Sequence, residues 1–579
     1  MMWHTDQGAR SVRKKGTGIG GLDDITGGGL PELGLTAVTG GPGAGKTVFA
    51  LQTIFNRLIQ HGEPAIFVTF EEPEAQVMQH AASFTWGAGG LDLNKIQVLD
   101  ARLPIDVIGT GDFDLLALIA RLSMIVEETG TRNLVFDGID VLLSGLANET
   151  HERRELSRLA EWVREADLFG LLTVKSEGLT ARDRHRSDYI EYHSNCVVSL
   201  DVDLGRTSLL RSLRVVKYRG SGFSADPKPL VIGDSGIEVI AFRGMRLSYP
   251  TYEDRLSSGI PRLDALLGGG YIHGSSILVS GAPGTSKTSL GASFLASACA
   301  SGKRALLVSF DESASQIVAH MRSIGLDLET HVQSGALIIK SYPASNLSPA
   351  EHFLTLQALL IDHKPDCLMI DPLSALQRRE NPFSAMICEA LFDLAKSRGI
   401  TLISSSLLEG MTGDQELSVS HVSTLADTWL HVSYLAHEGE RNRALTIIKS
   451  RGTSHSNQVR ELTLSHSGLD LVDVYAAGGK VLMGTARAER ESQDRRSAVV
   501  AAADQRRRRL ALDRSVAEFE AVALKAAQDL DWKRRDVAAM EDHERSRLET
   551  EEETASERLR LRRGTDDMPD AHEPEVHPQ

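Results

Sequence analysis

Gly40-Gly41-Pro42-Gly43-Ala44-Gly45-Lys46-Thr47 sets a lysine and a hydroxyl directly behind a glycine-rich run. Such glycines let backbone N–H groups turn inward around phosphate oxygens, and the helix that follows offers its N-terminus to the same charge. In this arrangement Gly41, Pro42, Gly43, Ala44 and Gly45 would form a cradle, Lys46 would bridge the outer phosphates, and Thr47 would hold Mg²⁺. A second run, Gly281-Ala282-Pro283-Gly284-Thr285-Ser286-Lys287-Thr288, repeats the pattern with Ser286 where the last glycine is expected. Serine carries a Cβ, so the loop must hold it at a backbone angle that glycine adopts more easily.

Carboxylates accompany both loops. Asp137 and Asp371 each end a short apolar run, where a strand would deliver them to the Mg²⁺ shell. Glu71-Glu72 and Asp311-Glu312 end another apolar run in each half. The carboxyl ends of strands are where an open α/β sheet binds ligand, and a carboxylate there can orient a water or accept a hydroxyl proton. Lys217/Arg219 and Lys449/Arg451 lie far along each half, and such cations stabilise charge on a transferring γ-phosphoryl, commonly from a neighbouring subunit. A lone Lys-x-Arg-Gly is ordinarily a surface turn, and here its weight comes from repetition.

The elements that must position these residues are themselves repeated. Thr17–Asp23 recurs as Ser258–Asp264 and the glycine-rich loop recurs, both offset by 241. Phe70-Glu71-Glu72 recurs at an offset of 240, Leu134–Asp137 at 234 and Lys217–Gly220 at 232. Order is kept while the offset shrinks slowly, as in a duplicated domain with loops of unequal length. Each half alternates short apolar runs with helix-period segments, which predicts a mainly parallel sheet covered by helices. The expected strands are Leu35–Thr39, Ala65–Phe70 and Leu134–Phe136, answered by Ile277–Ser280, Ala305–Phe310 and Cys367–Ile370.

The division expected is a flexible segment 1–15, a first α/β domain 16–245, a second 246–483, a helical extension 484–563 and a disordered tail 564–579. After Arg487 the chain turns to Ala, Glu and Arg with almost no Gly or Pro, which predicts one long helix. Leu512, Val516, Phe519, Ala523, Ala526, Leu530, Val537 and Met540 fall on a 4-3 spacing, interrupted at Lys533, which predicts a coiled-coil seam. Arg506–Arg509 lies among acids and reads as a solvated helix face.

Composition narrows the function classes. The 579 residues carry 63 Lys+Arg against 78 Asp+Glu, a formal net charge of −15, which disfavours nucleic-acid binding outside a concentrated basic groove. Four cysteines lie far apart with no CxxC pair, arguing against a disulfide framework or a zinc site. Mean hydropathy is −0.15, and no apolar stretch of membrane length or secretory-signal pattern is seen, so a cytoplasmic protein without membrane contact is expected.

Taken together, the two glycine-rich loops, both strand-end aspartates, both acidic pairs and both Lys-x-Arg-Gly turns resemble the KaiC family, double-domain ATPases of the RecA superfamily. The resemblance runs from about Gly16 to Met483. It implies two RecA-like domains stacked as hexameric rings with ATP at protomer interfaces, Glu71 and Glu72 serving a hydrolytic water, and Lys217 and Arg219 reaching the adjacent protomer's ATP. Ser418-Val419-Ser420-His421-Val422-Ser423-Thr424-Leu425-Ala426-Asp427-Thr428 is similar to the segment that KaiC autophosphorylates, which makes Ser423 and Thr424 the acceptors. Asp311 falls at the family's general-base position with Glu312 beside it, one methylene shorter than the glutamate the family more often carries. The family's usual tail is not recognisable after Leu471, as in extended homologues of other bacteria, so KaiA dependence is not expected while a KaiB-like partner is compatible. Six helices leaving one ring face could pair with those of a second hexamer. Two alternatives stand beside this reading: a nucleic-acid motor such as a recombinase or helicase, and a nucleotide-stabilised scaffold.

Overall fold

The computed structural model describes residues 12–87, 95–102, 115–146, 148–176, 181–204, 209–241, 249–377, 381–407, 422–437, 439–456, 458–477 and 480–561. Residues 1–11, the expected disordered tail 564–579, residues 242–248 of the linker expected near Gly244–Glu253, and Ser418–His421 lie outside them. The last residues of the expected flexible N-terminus differ from that expectation. Lys14–Lys15 pairs antiparallel with Leu30–Pro31, because Lys15 forms an ion pair with Glu63 and Val12 packs on the core.

The chain divides into two compact units, Met1–Ala476 and Ala477–Gln579. The first holds two nine-stranded sheets of one topology. In the first sheet, Cys196–Leu204, Gly34–Gly40, Phe169–Lys175, Asn133–Asp137, Ala65–Thr69 and Ile96–Asp100 run parallel in that spatial order. Leu209–Tyr218, Lys228–Gly233 and Gly236–Val239 extend it antiparallel. The second sheet repeats the order with Thr428–His437, Ser276–Gly281, Thr401–Leu407, Cys367–Asp371, Ala305–Ser309 and Leu337–Ser341, extended by three antiparallel strands from Glu440 to Asp473.

The parallel strands are mostly buried and largely apolar, with small hydroxyls such as Thr36, Thr69 and Ser404 among them, as expected when helices cover both faces. Their side chains alternate between two cores: Val38, Phe67, Val135 and Leu171 enter one, while Ala37, Ile66, Leu134 and Leu172 enter the other. The second sheet splits in the same way, with Val279, Leu307 and Met369 against Leu278, Leu306 and Leu368. On the first core lies the helix Lys46–His61, whose Phe49, Ile54, Phe55 and Leu58 are buried at helical spacing. It ends at Gly62, φ +70°, whose N–H donates to the Leu58 carbonyl at 2.8 Å. Within it Arg57 is buried, stacked 3.7 Å from the Phe169 ring centroid and donating to Asn133 Oδ1 at 2.8 Å.

The second unit is dominated by one 77-residue helix, Gly484–Arg560, about 115 Å long at 1.5 Å per residue. It has no glycine or proline after its first residue, and pairs such as Arg490–Asp494 and Arg535–Asp531 stand at i,i+4. Such pairs add only about 0.2–0.5 kcal/mol each. The seam side chains face solvent in the single chain, with Leu512 65% and Phe519 75% exposed.

Candidate functional site

Each glycine-rich loop leaves the central strand of its sheet and enters a helix at its lysine. In the first copy Gly43 (φ +71°) and Gly45 (φ +100°) make the turn. A Cβ on Gly45 would lie 2.6 Å from Ile232 Cδ1, the movable end of that side chain, so the left-handed angle is the main reason for glycine here and the contact adds to it. The second copy keeps Gly284 at φ +79° and places Ser286 at φ +74°, the left-handed angle anticipated for it. Lys46 Nζ donates to the carbonyls of Gly40 and Gly41 at 2.9 and 3.0 Å, and Lys287 Nζ to those of Gly281 and Ala282 at 2.9 and 2.8 Å. Burial lowers the pKa of both lysines, opposed by Asp140, Glu71 and Asp137 around Lys46 and by Asp371 near Lys287.

The strand register brings the carboxylates to these loops. Thr69 pairs with Asp137 and Ser309 with Asp371, so the acidic residues that follow Thr69 and Ser309 emerge beside those aspartates. The Glu72 N–H donates to Thr69 Oγ1 at 3.1 Å and the Glu312 N–H to Ser309 Oγ at 3.0 Å, shaping the two turns alike. A cavity of about 410 Å³ opens over the first loop, lined among others by Lys46, Thr47, Glu71, Asp137, Asp140 and Lys175.

Asp137 accepts from Thr47 at 3.1–3.2 Å and from Thr173 at 2.7 Å. Burial pushes its pKa up to about 6, with the Glu71 and Glu72 charges adding and the two hydroxyls opposing. A buried carboxylate touching a threonine hydroxyl fits Mg²⁺, a hard cation usually held by one or two protein oxygens plus substrate phosphates. In the second copy Ser405 donates to Asp371, while burial, then Asp371 and Glu312, raise the pKa of Asp311.

Four contributors have no distinctive sequence signal of their own. Thr173 and Ser405 orient the two aspartates from the adjacent strand. His80 Nδ1 lies 3.1 Å from Glu72, and His320 Nδ1 lies 3.0 Å from Glu312. A histidine eight residues after the second acid in both halves was the one visible trace of this pair.

The Lys-x-Arg pairs do not join the loops of their own chain. Lys217 pairs with Val197, level with Ala37, and the Arg219 N–H donates to the Asn195 carbonyl at 2.8 Å. Asn195 in turn donates to the Leu35 carbonyl, so Arg219 stands at the amino edge of the strand whose carboxyl edge, Gly40, opens the loop. The separation is about five residues, roughly 16 Å at 3.3 Å per residue. Lys217 and Arg219 both donate to the Tyr192 carbonyl, at 3.3 and 2.5 Å.

The second copy repeats this geometry on the candidate acceptor. Lys449 and Arg451 donate to the Thr424 carbonyl at 3.5 and 3.1 Å. Ser423 and Thr424 lie in the short helix Val422–Leu425, and the Asp427 N–H donates to Ser276 O at the amino edge of Ser276–Gly281.

Two tandem P-loop domains of RecA type, each with its strand-end aspartate and acidic pair, define a double-domain nucleotide-binding protein. A family model described as "ATPase: KaiC" matches residues 15–243 and again residues 256–475. The chain is 36% identical over 522 residues to the circadian clock protein KaiC2 of Synechocystis, covering 88% of this chain and 89% of the relative. It is 34% identical over 489 residues to the circadian clock oscillator protein KaiC of Thermostichus vulcanus (83% and 93%) and 33% over 484 residues to that of Synechococcus elongatus (82% and 92%). The chain belongs to the KaiC family.

Gly45→Ser and Ser286→Gly should have opposite effects on the nucleotide-free protein. A left-handed angle costs a non-glycine residue about 1–2 kcal/mol, part of which glycine gives back as chain entropy. Urea unfolding should therefore show Ser286→Gly stabilising by about 0.5–1 kcal/mol on that balance. Gly45→Ser should destabilise by more, since its Cβ also meets Ile232. Equal midpoints for the two variants would contradict the loop geometry.

Proposed function

We propose that the protein is an ATP-driven serine/threonine autokinase of timing or signalling, working as a hexameric ring with ATP held between protomers. The observation that carries this reading is the distance between each loop and the groups that would complete it. Thr424, Lys449 and Arg451 gather at the amino edge of the sheet, one strand length from Lys287. A residue held there serves the nucleotide of another chain, with its own nucleotide bound at the far edge.

In the first copy Glu71 and Glu72 orient the hydrolytic water, while Lys217 and Arg219 stabilise charge on the neighbour's γ-phosphate. In the second copy the Ser423 or Thr424 oxygen forms a bond to the γ-phosphorus. The bond from that phosphorus to the bridging oxygen breaks, ADP leaves with the electron pair, and the hydroxyl proton passes to Asp311 beside that nucleotide. Thr47 with Asp137, and Thr288 with Asp371, would hold Mg²⁺, whose charge would neutralise the phosphates when bound. A KaiB-like protein is the class of partner the family suggests for the first ring.

Phosphosite mapping after incubation with Mg-ATP should find phosphate on Ser423 or Thr424. Asp311→Asn should slow its incorporation by about 10²-fold or more, the usual worth of a general base, whereas Glu71→Gln should leave it largely intact. Unlabelled Ser423 and Thr424 alongside active ATP hydrolysis would refute the autokinase reading.

The exposed 4-3 seam of Gly484–Arg560 supports pairing of two hexamers through their helices. Light scattering on a chain ended after Arg487 should then give half the subunit number of the full chain, and an unchanged number would refute the pairing.

A further inference from the structure

We infer that Lys396 is a positioning residue for phosphoryl transfer, tying the acceptor segment to the sheet through Asp427. The inference rests on the autokinase reading and assigns a role to residues outside the nucleotide site.

Asp427 stands three residues beyond Thr424 and gathers contacts from three directions. Lys396 Nζ reaches its two carboxylate oxygens at 2.8 and 3.1 Å. The N–H and hydroxyl of Ser276 each donate to its Oδ2 at 2.9 Å. Arg451 Nη1 lies 3.7 Å from Oδ1, while Nη2 of the same guanidinium holds the Thr424 carbonyl. Lys396 also donates to the Leu425 carbonyl at 3.3 Å, so one ammonium grips the acceptor helix and its anchor together.

Burial alone would raise the Asp427 pKa, but the bonds from Lys396 and Ser276 outweigh it and hold the carboxyl below its usual range. The carboxylate is thus charged at neutral pH, and both partners are mostly enclosed, with 17% and 21% of the side chains exposed. A pair this enclosed is screened less by water and salt than a surface pair, and its several hydrogen bonds hold it in one geometry.

The duplication provides an internal comparison. Backbone bonds around Asn195 in the first copy match those around Asp427: Asn195 donates to Leu35 O and Arg219 to Asn195 O, as Asp427 donates to Ser276 O and Arg451 to Asp427 O. The first copy has an amide there in place of a carboxylate, and its Asn195 Nδ2 donates to the Leu33 carbonyl. At the offset of 232 the counterpart of Lys396 is Arg164, an exposed residue. The counterparts of Ser423 and Thr424 are Glu191 and Tyr192, neither of them a serine or threonine. The ion pair is therefore present in the copy that carries candidate acceptors and absent at the same fold position in the copy that does not.

Full-length Lys396→Met and Lys396→Arg proteins would be incubated with labelled Mg-ATP and compared with the unsubstituted chain. Lys396→Met should slow label entry at Ser423 and Thr424 by at least tenfold with the KM for ATP unchanged. Lys396→Arg, which can still reach Asp427, should recover to within about threefold. Hydrolysis by the first copy, read in a Lys287→Ala background, should be the same with and without Lys396→Met. Labelling of Lys396→Met at the unsubstituted rate overturns the positioning role and leaves the autokinase reading standing. So does a parallel loss of first-copy hydrolysis, which marks general destabilisation. Absence of label in the unsubstituted chain overturns the autokinase reading and this inference with it.

Discussion

Parallel strand pairing in each sheet fixes which groups can meet within one chain. The phosphate loop leaves the carboxyl end of the central strand, while the Lys-x-Arg clamp is bound to its amino end through Asn195 or Asp427. A flexible side chain cannot span that strand, because backbone hydrogen bonds hold both ends in register. On the proposed reading, the cradle, strand-end aspartate and acidic pair form one half of a site, and the cations with the candidate acceptor form the other half. The proposed closure between copies of the chain would bring the two halves together, and a ring is the symmetric arrangement that would satisfy every copy by head-to-tail contacts.

The two copies keep this plan and diverge in its chemistry. Both clamp one carbonyl with Lys and Arg, and both place a histidine on the second acid. They differ where hydrolysis and transfer to a protein hydroxyl would make different demands. Asp311 replaces Glu71, Ser286 replaces Gly45, and Thr424 replaces Tyr192 under the clamp. A water needs orienting by nearby carboxylates alone, whereas a protein hydroxyl must be carried by a fixed segment. The Lys396–Asp427 pair supplies such a fixture in the second copy.

Much of the plan was legible in the sequence because it depends on local pattern. The apolar runs around Val38, Phe67 and Val135 become strands to within a residue or two, and the two loops could be read from glycine and lysine spacing. The required angle at Ser286 followed from the missing glycine alone. Thr173, Ser405 and Lys396 act through tertiary contact with residues 31 to 36 positions away, and ordinary threonine, serine and lysine carry no local mark of it. Lys217 and Arg219 could be guessed as cations for a phosphate, but only the register shows on which edge they stand. The pairing of Lys14–Lys15 was missed because a two-residue strand has no periodicity to detect.

The central claim is that each nucleotide site is finished by another chain, and co-expressed mixed subunits test it most directly. One subunit would carry Lys287→Ala with Ser423 and Thr424 intact, and the other would carry Ser423→Ala and Thr424→Ala with Lys287 intact. Transfer between chains predicts that mixed assemblies incubated with Mg-ATP acquire phosphate on the Lys287→Ala subunit, although neither subunit alone is labelled there. Mixed assemblies that remain unlabelled at both positions, while the unsubstituted protein is labelled, would contradict the account.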